Sequence, residues 1–142
     1  MTTCKQLVVP ILHGTKLSKE DCPKSPIEME DMSHIPYVSV VSSLMYAMAY
    51  TRQNIVQAMG VLSQYMDNPR RVHWDAIKRV FRYLRGTSDY FLCFQGNSFV
   101  SHCSTCIRGY VDLDWAGDID SRRSTSGYVF MMSGGAISWM SK

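Results

Sequence analysis

Apolar residues recur at three- and four-residue spacing through the middle of the chain, and this periodicity predicts three helices. The first covers Tyr37–Tyr50, and the second begins with Thr51 as its N-cap and stops before Asn68-Pro69. The third runs from Arg71 to Arg85 and is followed by Gly86, a good helix terminator. Each helix has one apolar face, so we expect the three helices to pack on one another.

Beyond Gly86 the pattern becomes strand-like. It predicts four strands, at Tyr90–Phe94, Ile107–Asp114, Gly127–Met132 and Ala136–Met140. A polar loop over 115–126 precedes the third strand, and Ser133-Gly134-Gly135 is a hairpin turn. Since an antiparallel sheet of so few strands needs a covering layer, we expect an exposed last strand with an apolar face open to solvent. The fold class is α+β, with about three helices followed by an incomplete antiparallel sheet.

The first 35 residues lack sustained periodicity and contain Gly14, Pro23 and Pro26, so they are expected to be poorly ordered. The apolar run Leu7–Leu12 is too short and too interrupted by proline for a clear secretory signal. Three regions follow: an N-terminal segment over 1–35, a helical region over 36–88 and a β region over 89–142.

Composition adds limits to this picture. The chain is 46% hydrophobic and 19% charged, which favours a globular core over disorder. No run approaches about 18 consecutive apolar residues, so no transmembrane helix and no membrane partner are expected. Five cysteines cannot all pair within one chain. The net charge of +3 does not by itself favour any class of partner, but the charged residues are unevenly distributed along the chain.

Basic residues concentrate on the third predicted helix, where Asp75 is the one opposing acid. Such a stripe can contact nucleic-acid phosphates, with His73 and Trp74 nearby for base stacking. The alternative is an ordinary solvated face of an amphipathic helix. The candidate nucleic-acid-binding residues are Arg70, Arg71, Lys78, Arg79 and Arg82, and Arg85 completes the stripe.

Acidic residues gather at the end of the second predicted strand and in the loop after it, at Asp112, Asp114, Asp118 and Asp120. Clustered carboxylates bind hard cations such as Mg²⁺, although a solvated acidic loop has the same pattern. Cys103 and Cys106 form a lone CxxC pair, without the second pair that a zinc site needs. We therefore expect no metal site and no cofactor.

Three strings carry a resemblance: SLMYAMAYTRQNIVQAMGVLSQYMDNPRRVHW, AIKRVFRYLRGTSDYFL and GYVDLDWAGDIDSRRSTSGYVFMMSGGAISWMSK. With KLSKEDCP upstream, the chain resembles the Pol polyprotein of copia-type long-terminal-repeat retrotransposons. The resemblance runs from the tail of the reverse transcriptase, through a connecting region, to the start of ribonuclease H. It implies a helical part like the thumb-side region that grips the primer–template duplex, and a β part like the first three ribonuclease H strands.

On that resemblance Asp112 matches the first catalytic carboxylate of ribonuclease H, a Mg²⁺ ligand, whereas Asp114 matches a motif position that is no core ligand. The polymerase aspartates fall before Met1, and the other ribonuclease H carboxylates fall after Lys142. One carboxylate does not assemble a two-metal site, so we expect no polymerase or ribonuclease H activity and no enzyme. Asn54 also departs from the usual Asp of the family.

A second resemblance is much shorter. Arg82-Tyr83-Leu84-Arg85 is similar to the Arg-x-Leu-Arg motif of secreted oomycete effectors, which enter plant host cells and suppress defence or cell death. The Glu-Glu-Arg companion of that motif is missing, and Leu84 also fits the apolar face of its helix. The main hypothesis is thus a non-catalytic Pol-derived protein that contacts nucleic acid in the cytoplasm or nucleus. The alternative is a secreted effector that binds a host protein inside the host cell.

Overall fold

The computed structural model describes residues 5–12, 15, 17–18, 22–23, 25–94, 106–114 and 124–142. Within these ranges, four α-helices precede one three-stranded antiparallel sheet. The helices are α1 (Pro26–Ser33), α2 (Tyr37–Tyr50), α3 (Val56–Leu62) and α4 (Arg71–Gly86), and the strands are β1 (Arg108–Asp114), β2 (Thr125–Met132) and β3 (Gly135–Ser141). The α+β class with an incomplete sheet is confirmed.

The helical periodicity located α2 and α4 correctly. The second predicted helix is α3, lengthened by short 3-10 turns at Gln53–Ile55 and Ser63–Tyr65. Thr51 does not begin this helix as expected. Its backbone N–H donates to the carbonyl of Ala47 at 3.0 Å, so Thr51 ends α2 instead.

Helix α1 lies in the segment that was expected to be poorly ordered. Its start is nevertheless well specified, because the Ser25 hydroxyl accepts a hydrogen bond from the Glu28 N–H at 3.3 Å and Pro26 occupies the first turn. Proline breaks a helix in its interior, but the first turn of a helix is where proline is tolerated best. Met32 is the buried residue of this short helix.

The hydrophobic core lies between the helices. It consists of Leu17, Tyr37, Val41, Leu44, Ile55, Ala58, Met59, Leu62, Tyr65, Ala76, Ile77, Val80 and Tyr83. The N-terminal residues Leu7 and Ile11 pack against it. The Tyr37 hydroxyl donates to the Leu62 carbonyl at 2.9 Å, which satisfies a buried polar group between α2 and α3. None of the described helices combines the length and the hydrophobicity that a membrane span requires.

The sheet is a meander in the order β1-β2-β3. Val111 lies opposite Tyr128, Val129 lies opposite Trp139, and the register shifts at Phe130/Met131. The predicted hairpin turn is confirmed: Ser133 and Gly134 both have positive φ, at 50° and 81°, as a two-residue turn between twisted strands requires.

The expected exposure of the last strand is found in part of β3, where Ile137 and Met140 are exposed, but the most exposed strand is β1. The last strand, β3, packs on the helices, because the Trp139 indole Nε1 donates to the Met48 carbonyl at 2.9 Å and Ala136 is buried. The first strand, β1, is exposed over its whole length. The helices that precede the sheet thus provide a covering layer at β3, whereas β1 projects away from them.

The strand predicted at Tyr90–Phe94 was wrong, since these residues form no strand. Both edges of β2 are already occupied by β1 and β3, and the segment makes no ladder with β3. Instead this segment lies across the start of β3. The Phe94 ring is so close to Gly135 that a β-carbon on Gly135 would lie 2.6 Å from it. The apolar run therefore packs side chains over a glycine and does not extend the sheet.

Candidate nucleic-acid interface

Helix α4 has two sharply different sides. His73, Ala76, Ile77, Val80 and Tyr83 are buried against the core. Arg71, Lys78, Arg82 and Arg85 recur at spacings of seven, four and three residues, which places them on the opposite side. The basic stripe predicted from the sequence is thus the outer face of α4, and it stays accessible because the other side is held in the core.

The N-terminus of α4 is unusual in its charge. Arg70 is the N-cap residue and Arg71 the first helical residue, at the end where the helix dipole disfavours positive charge. Two acids from α1 offset this: Arg70 Nη2 lies 2.5 Å from Glu28 Oε1, and Arg71 Nη1 lies 3.9 Å from Asp31 Oδ2. These two predicted phosphate contacts are therefore already paired with carboxylates.

His73 is not the stacking platform that the sequence suggested. It is completely buried, and its ring stacks on Tyr65 with centroids 4.1 Å apart. Its Nδ1 accepts a hydrogen bond from the Arg70 backbone N–H at 2.9 Å, so the imidazole caps the start of α4. Trp74 is partly buried and packs against the core. The His73 ring is therefore not presented on the basic face.

The other three candidate cations differ from one another. Lys78 Nζ lies 2.5 Å from Asp75 Oδ1, within the stripe itself. Arg79 and Arg82 have no carboxylate within 4 Å among the described residues, and the Arg82 Nε donates to the backbone carbonyl of Lys5 at 2.9 Å. The Nε of Arg79 is buried and has no hydrogen-bond partner in the described part of the chain. The available positive charge therefore centres on the second half of α4.

The tetrapeptide 82–85 is part of this folded helix. Tyr83 is buried, and its hydroxyl accepts a hydrogen bond from Asn54 Nδ2 at 2.7 Å. Leu84 packs against the core. Only Arg82 and Arg85 of the four residues project from the core, so the motif is not presented as an accessible linear peptide. Asn54, a departure from the family pattern, serves here as the hydrogen-bond donor between α4 and the turn before α3.

Asp112 lies on β1 and is exposed. One of its carboxylate oxygens accepts a hydrogen bond from the Leu113 backbone N–H at 3.0 Å. Asp114 is two residues further along the same face, opposite Thr125, whereas Asp118 and Asp120 lie outside the described residues. Across the described ranges, no group of three or more His, Cys, Asp or Glu side chains could hold a metal ion.

The cysteines do not form a described metal site either. Cys22 and Cys93 are not disulfide-bonded, whereas Cys106 is, which removes Cys106 as a thiolate ligand. Cys103, the other member of the CxxC pair, lies outside the described residues.

Comparisons with known proteins give a consistent picture. No family model matches the chain, and no solved structure matches it. The chain is 47% identical over all 142 residues to the retrovirus-related Pol polyprotein from transposon TNT 1-94 of Nicotiana tabacum. It is 39% identical over the same length to that from transposon RE2 of Arabidopsis thaliana. The chain spans about a tenth of the length of these two polyproteins.

A relative of comparable size also matches. Over 111 residues, which are 78% of this chain and 75% of the relative, the chain is 48% identical to secreted RxLR effector protein 161 of Plasmopara viticola. The Pol relatives match from the first residue to the last, and so beyond the strings that carry the resemblance in the sequence. The chain therefore belongs to the family of retrovirus-related Pol polyproteins of copia-type transposons, to which this effector is also related.

Proposed function

We propose that this transposon-derived chain binds the backbone of a nucleic-acid duplex through the outer face of α4, and that it catalyses neither polymerisation nor RNA cleavage. The observation that carries the proposal is the division of α4 into a side buried in the core and an opposite side with four cations. A stripe held at fixed spacing on a rigid helix can follow a row of phosphates without reading base sequence.

The ion pairs set the expected strength of this binding. Arg70, Arg71 and Lys78 each have a carboxylate within 4 Å, and a phosphate must compete with that carboxylate. Exposed ion pairs of this kind contribute only about 0–1 kcal/mol, so they weaken phosphate binding without preventing it. Few contacts also mean a modest salt dependence, because each neutralised phosphate contributes about 0.9 to the slope of log K against log salt.

Two substitutions on the same helix face test the interface in opposite directions. Arg82→Gln removes one phosphate contact, so it should lower affinity for an RNA–DNA duplex and reduce the salt slope by about 1. Asp75→Asn removes the acid beside Lys78, so it should raise affinity. Both effects are measured by fluorescence anisotropy of a labelled duplex over a salt series, and they should be independent of duplex sequence.

Lys142→Gln is the matched control, because it also removes one exposed positive charge but lies at the end of the sheet. It should leave the affinity and the slope unchanged. If Arg82→Gln and Lys142→Gln weaken binding equally, the effect is one of net charge, and the assignment of α4 as the interface is wrong.

The absence of catalysis is tested in the same solutions with Mg²⁺ added. The RNA strand of the hybrid should stay intact, because a two-metal site needs several convergent carboxylates. Among the residues that the structure describes, Asp114 is the one other carboxylate on the Asp112 face of the sheet. Mg²⁺-dependent cleavage that Asp112→Asn abolishes would contradict this part of the proposal, while leaving the binding measurement intact.

The second candidate function is a secreted effector that acts on a host protein, and the effector relative in Plasmopara viticola favours it. Secretion is the discriminating measurement. A tagged gene product with its native N-terminus should remain in the producing cell under the first proposal, and its export would establish the second. Since Tyr83 is buried and Leu84 packs against the core, any role of the tetrapeptide in export would need partial unfolding of α4.

A further inference from the structure

Strand β1 is the most exposed regular element of the described chain: all seven of its residues face solvent. It forms one edge of the three-stranded sheet, and its outer side has no strand partner among the described residues. The opposite edge, β3, is partly covered by α3 and by the segment that contains Phe94. Gly60 of α3 lies so close to β3 that a β-carbon on it would be 3.5 Å from the Ser141 carbonyl, and the Phe94 ring lies over Gly135. An open strand edge is a template for pairing with another strand.

The backbone groups that point outward on β1 can be identified. The Leu113 N–H donates to the Asp112 carboxylate, so it does not serve the ladder with β2. Ladder bonds alternate along a strand, which places the backbone groups of Gly109, Val111 and Leu113 on the outer edge. The Leu113 N–H must exchange its bond with the Asp112 carboxylate to join an added strand. These three residues have the spacing that an added antiparallel strand needs.

We propose that a second copy of this chain pairs with β1 along this edge, antiparallel and centred on Val111. In this register Val111 lies opposite Val111 of the second copy, and Gly109 lies opposite Leu113 of the second copy. Arg108 then lies opposite Asp114 of the second copy, and the two-fold axis makes this opposite-charge pair occur twice. Antiparallel self-pairing of the sequence RGYVDLD is thus complementary in charge as well as in hydrogen bonding.

The apolar side chains of the sheet support the same register. Val111, Leu113 and Phe130 are exposed on the sheet face opposite Trp139. The Phe130 ring lies over Gly109, where a β-carbon would come within 2.7 Å of it, so the ring fills the space beside Leu113 of the second copy. The product is a six-stranded sheet with one continuous apolar strip. This inference does not depend on nucleic-acid binding by α4.

Cysteine cross-linking tests both the partner and the register. Facing residues across the two-fold axis have Cα atoms about 5.5 Å apart, within disulfide range, so Val111→Cys should cross-link to itself on mild oxidation. Leu113→Cys is the matched control: the two side chains are similarly exposed, at 74% and 71%, but two copies of residue 113 lie about 14 Å apart in this register. We expect at least tenfold more cross-linked dimer for Val111→Cys than for Leu113→Cys. The unsubstituted chain measures the background of cross-linking through its free Cys93.

Charge exchange tests the pairing without cysteines. Arg108→Asp and Asp114→Arg should each weaken dimerisation about tenfold or more in sedimentation experiments, because each places like charges opposite each other twice. Equimolar mixing of the two variants should restore the dimer, since every position 108 then faces an opposite charge. A monomeric unsubstituted chain at all concentrations, equal cross-linking of Val111→Cys and Leu113→Cys, or a mixture no stronger than the single variants would overturn the proposal.

Discussion

Replacing Leu62 with alanine is expected to lower the free energy of unfolding by about 2–5 kcal/mol. Leu62 is the last residue of α3, and its side chain has 0% of its surface exposed. The substitution removes buried methyl groups and leaves a cavity among α2, α3 and α4 that the surrounding side chains fill only in part. Since domains of this size are stable by only about 5–15 kcal/mol, the loss is a large share of the total.

Urea unfolding followed by circular dichroism measures this effect, and Leu12→Ala is the matched control. Leu12 is the same residue type but is 50% exposed in the N-terminal segment, so its replacement should change stability by about 0.5 kcal/mol or less. Equal losses for the two variants would show that Leu62 is not part of a packed core. The Leu62→Ala variant should also bind nucleic acid more weakly near its unfolding midpoint, because the basic face of α4 is accessible only while its other side is packed.

The helices show what a periodic pattern can and cannot predict. The apolar spacings in α2 and α4 were long enough to locate both helices. Helix α1 has eight residues and almost no amphipathic pattern, so only its Ser25 cap and Pro26 identify it. The end of α2 at Thr51 depends on which carbonyl its N–H meets, and local composition does not determine that.

The sheet was predictable in its hairpin and unpredictable in its packing. Ser133-Gly134 is a local turn signal, and it led to the correct pairing of β2 with β3. The hydrogen bond from Trp139 to the Met48 carbonyl joins residues 91 positions apart, so no local pattern indicates that β3 is the covered strand. For the same reason the sequence does not indicate that β1 is more exposed than β3.

The candidate interface was likewise predictable only in part. The basic side of α4 follows from spacing alone, and the structure places it opposite the core. The pairing of Arg70 with Glu28 spans 42 residues, and it depends on the position of α1, a helix that the sequence pattern did not reveal. His73 illustrates the limit for a single residue, because a histidine beside a basic stripe suggests base stacking, whereas burial and a capping hydrogen bond give it a structural role.

Alkaline pH should destabilise the protein through Tyr37, in addition to any general effect of high pH. Burial raises the pKa of the Tyr37 hydroxyl well above its usual value of 10.0, and the neighbouring Tyr65 and Cys22 raise it further. The folded chain therefore keeps this proton where the unfolded chain loses it. The stabilisation is fully present below about pH 10 and is lost as the pH rises above that value, at about 1.4 kcal/mol per pH unit.

Comparison with Tyr37→Phe isolates this contribution, since the other tyrosines are present in both proteins and their titration cancels. Near neutral pH the variant should be about 1–3 kcal/mol less stable, because the buried Leu62 carbonyl loses its hydrogen-bond donor. Between pH 10 and 11.5 the unsubstituted chain should lose about 2 kcal/mol more than the variant, so the two stabilities converge. Parallel pH dependences in urea unfolding would mean that Tyr37 ionises in the folded chain, which is incompatible with a hydroxyl that donates to Leu62 inside the core.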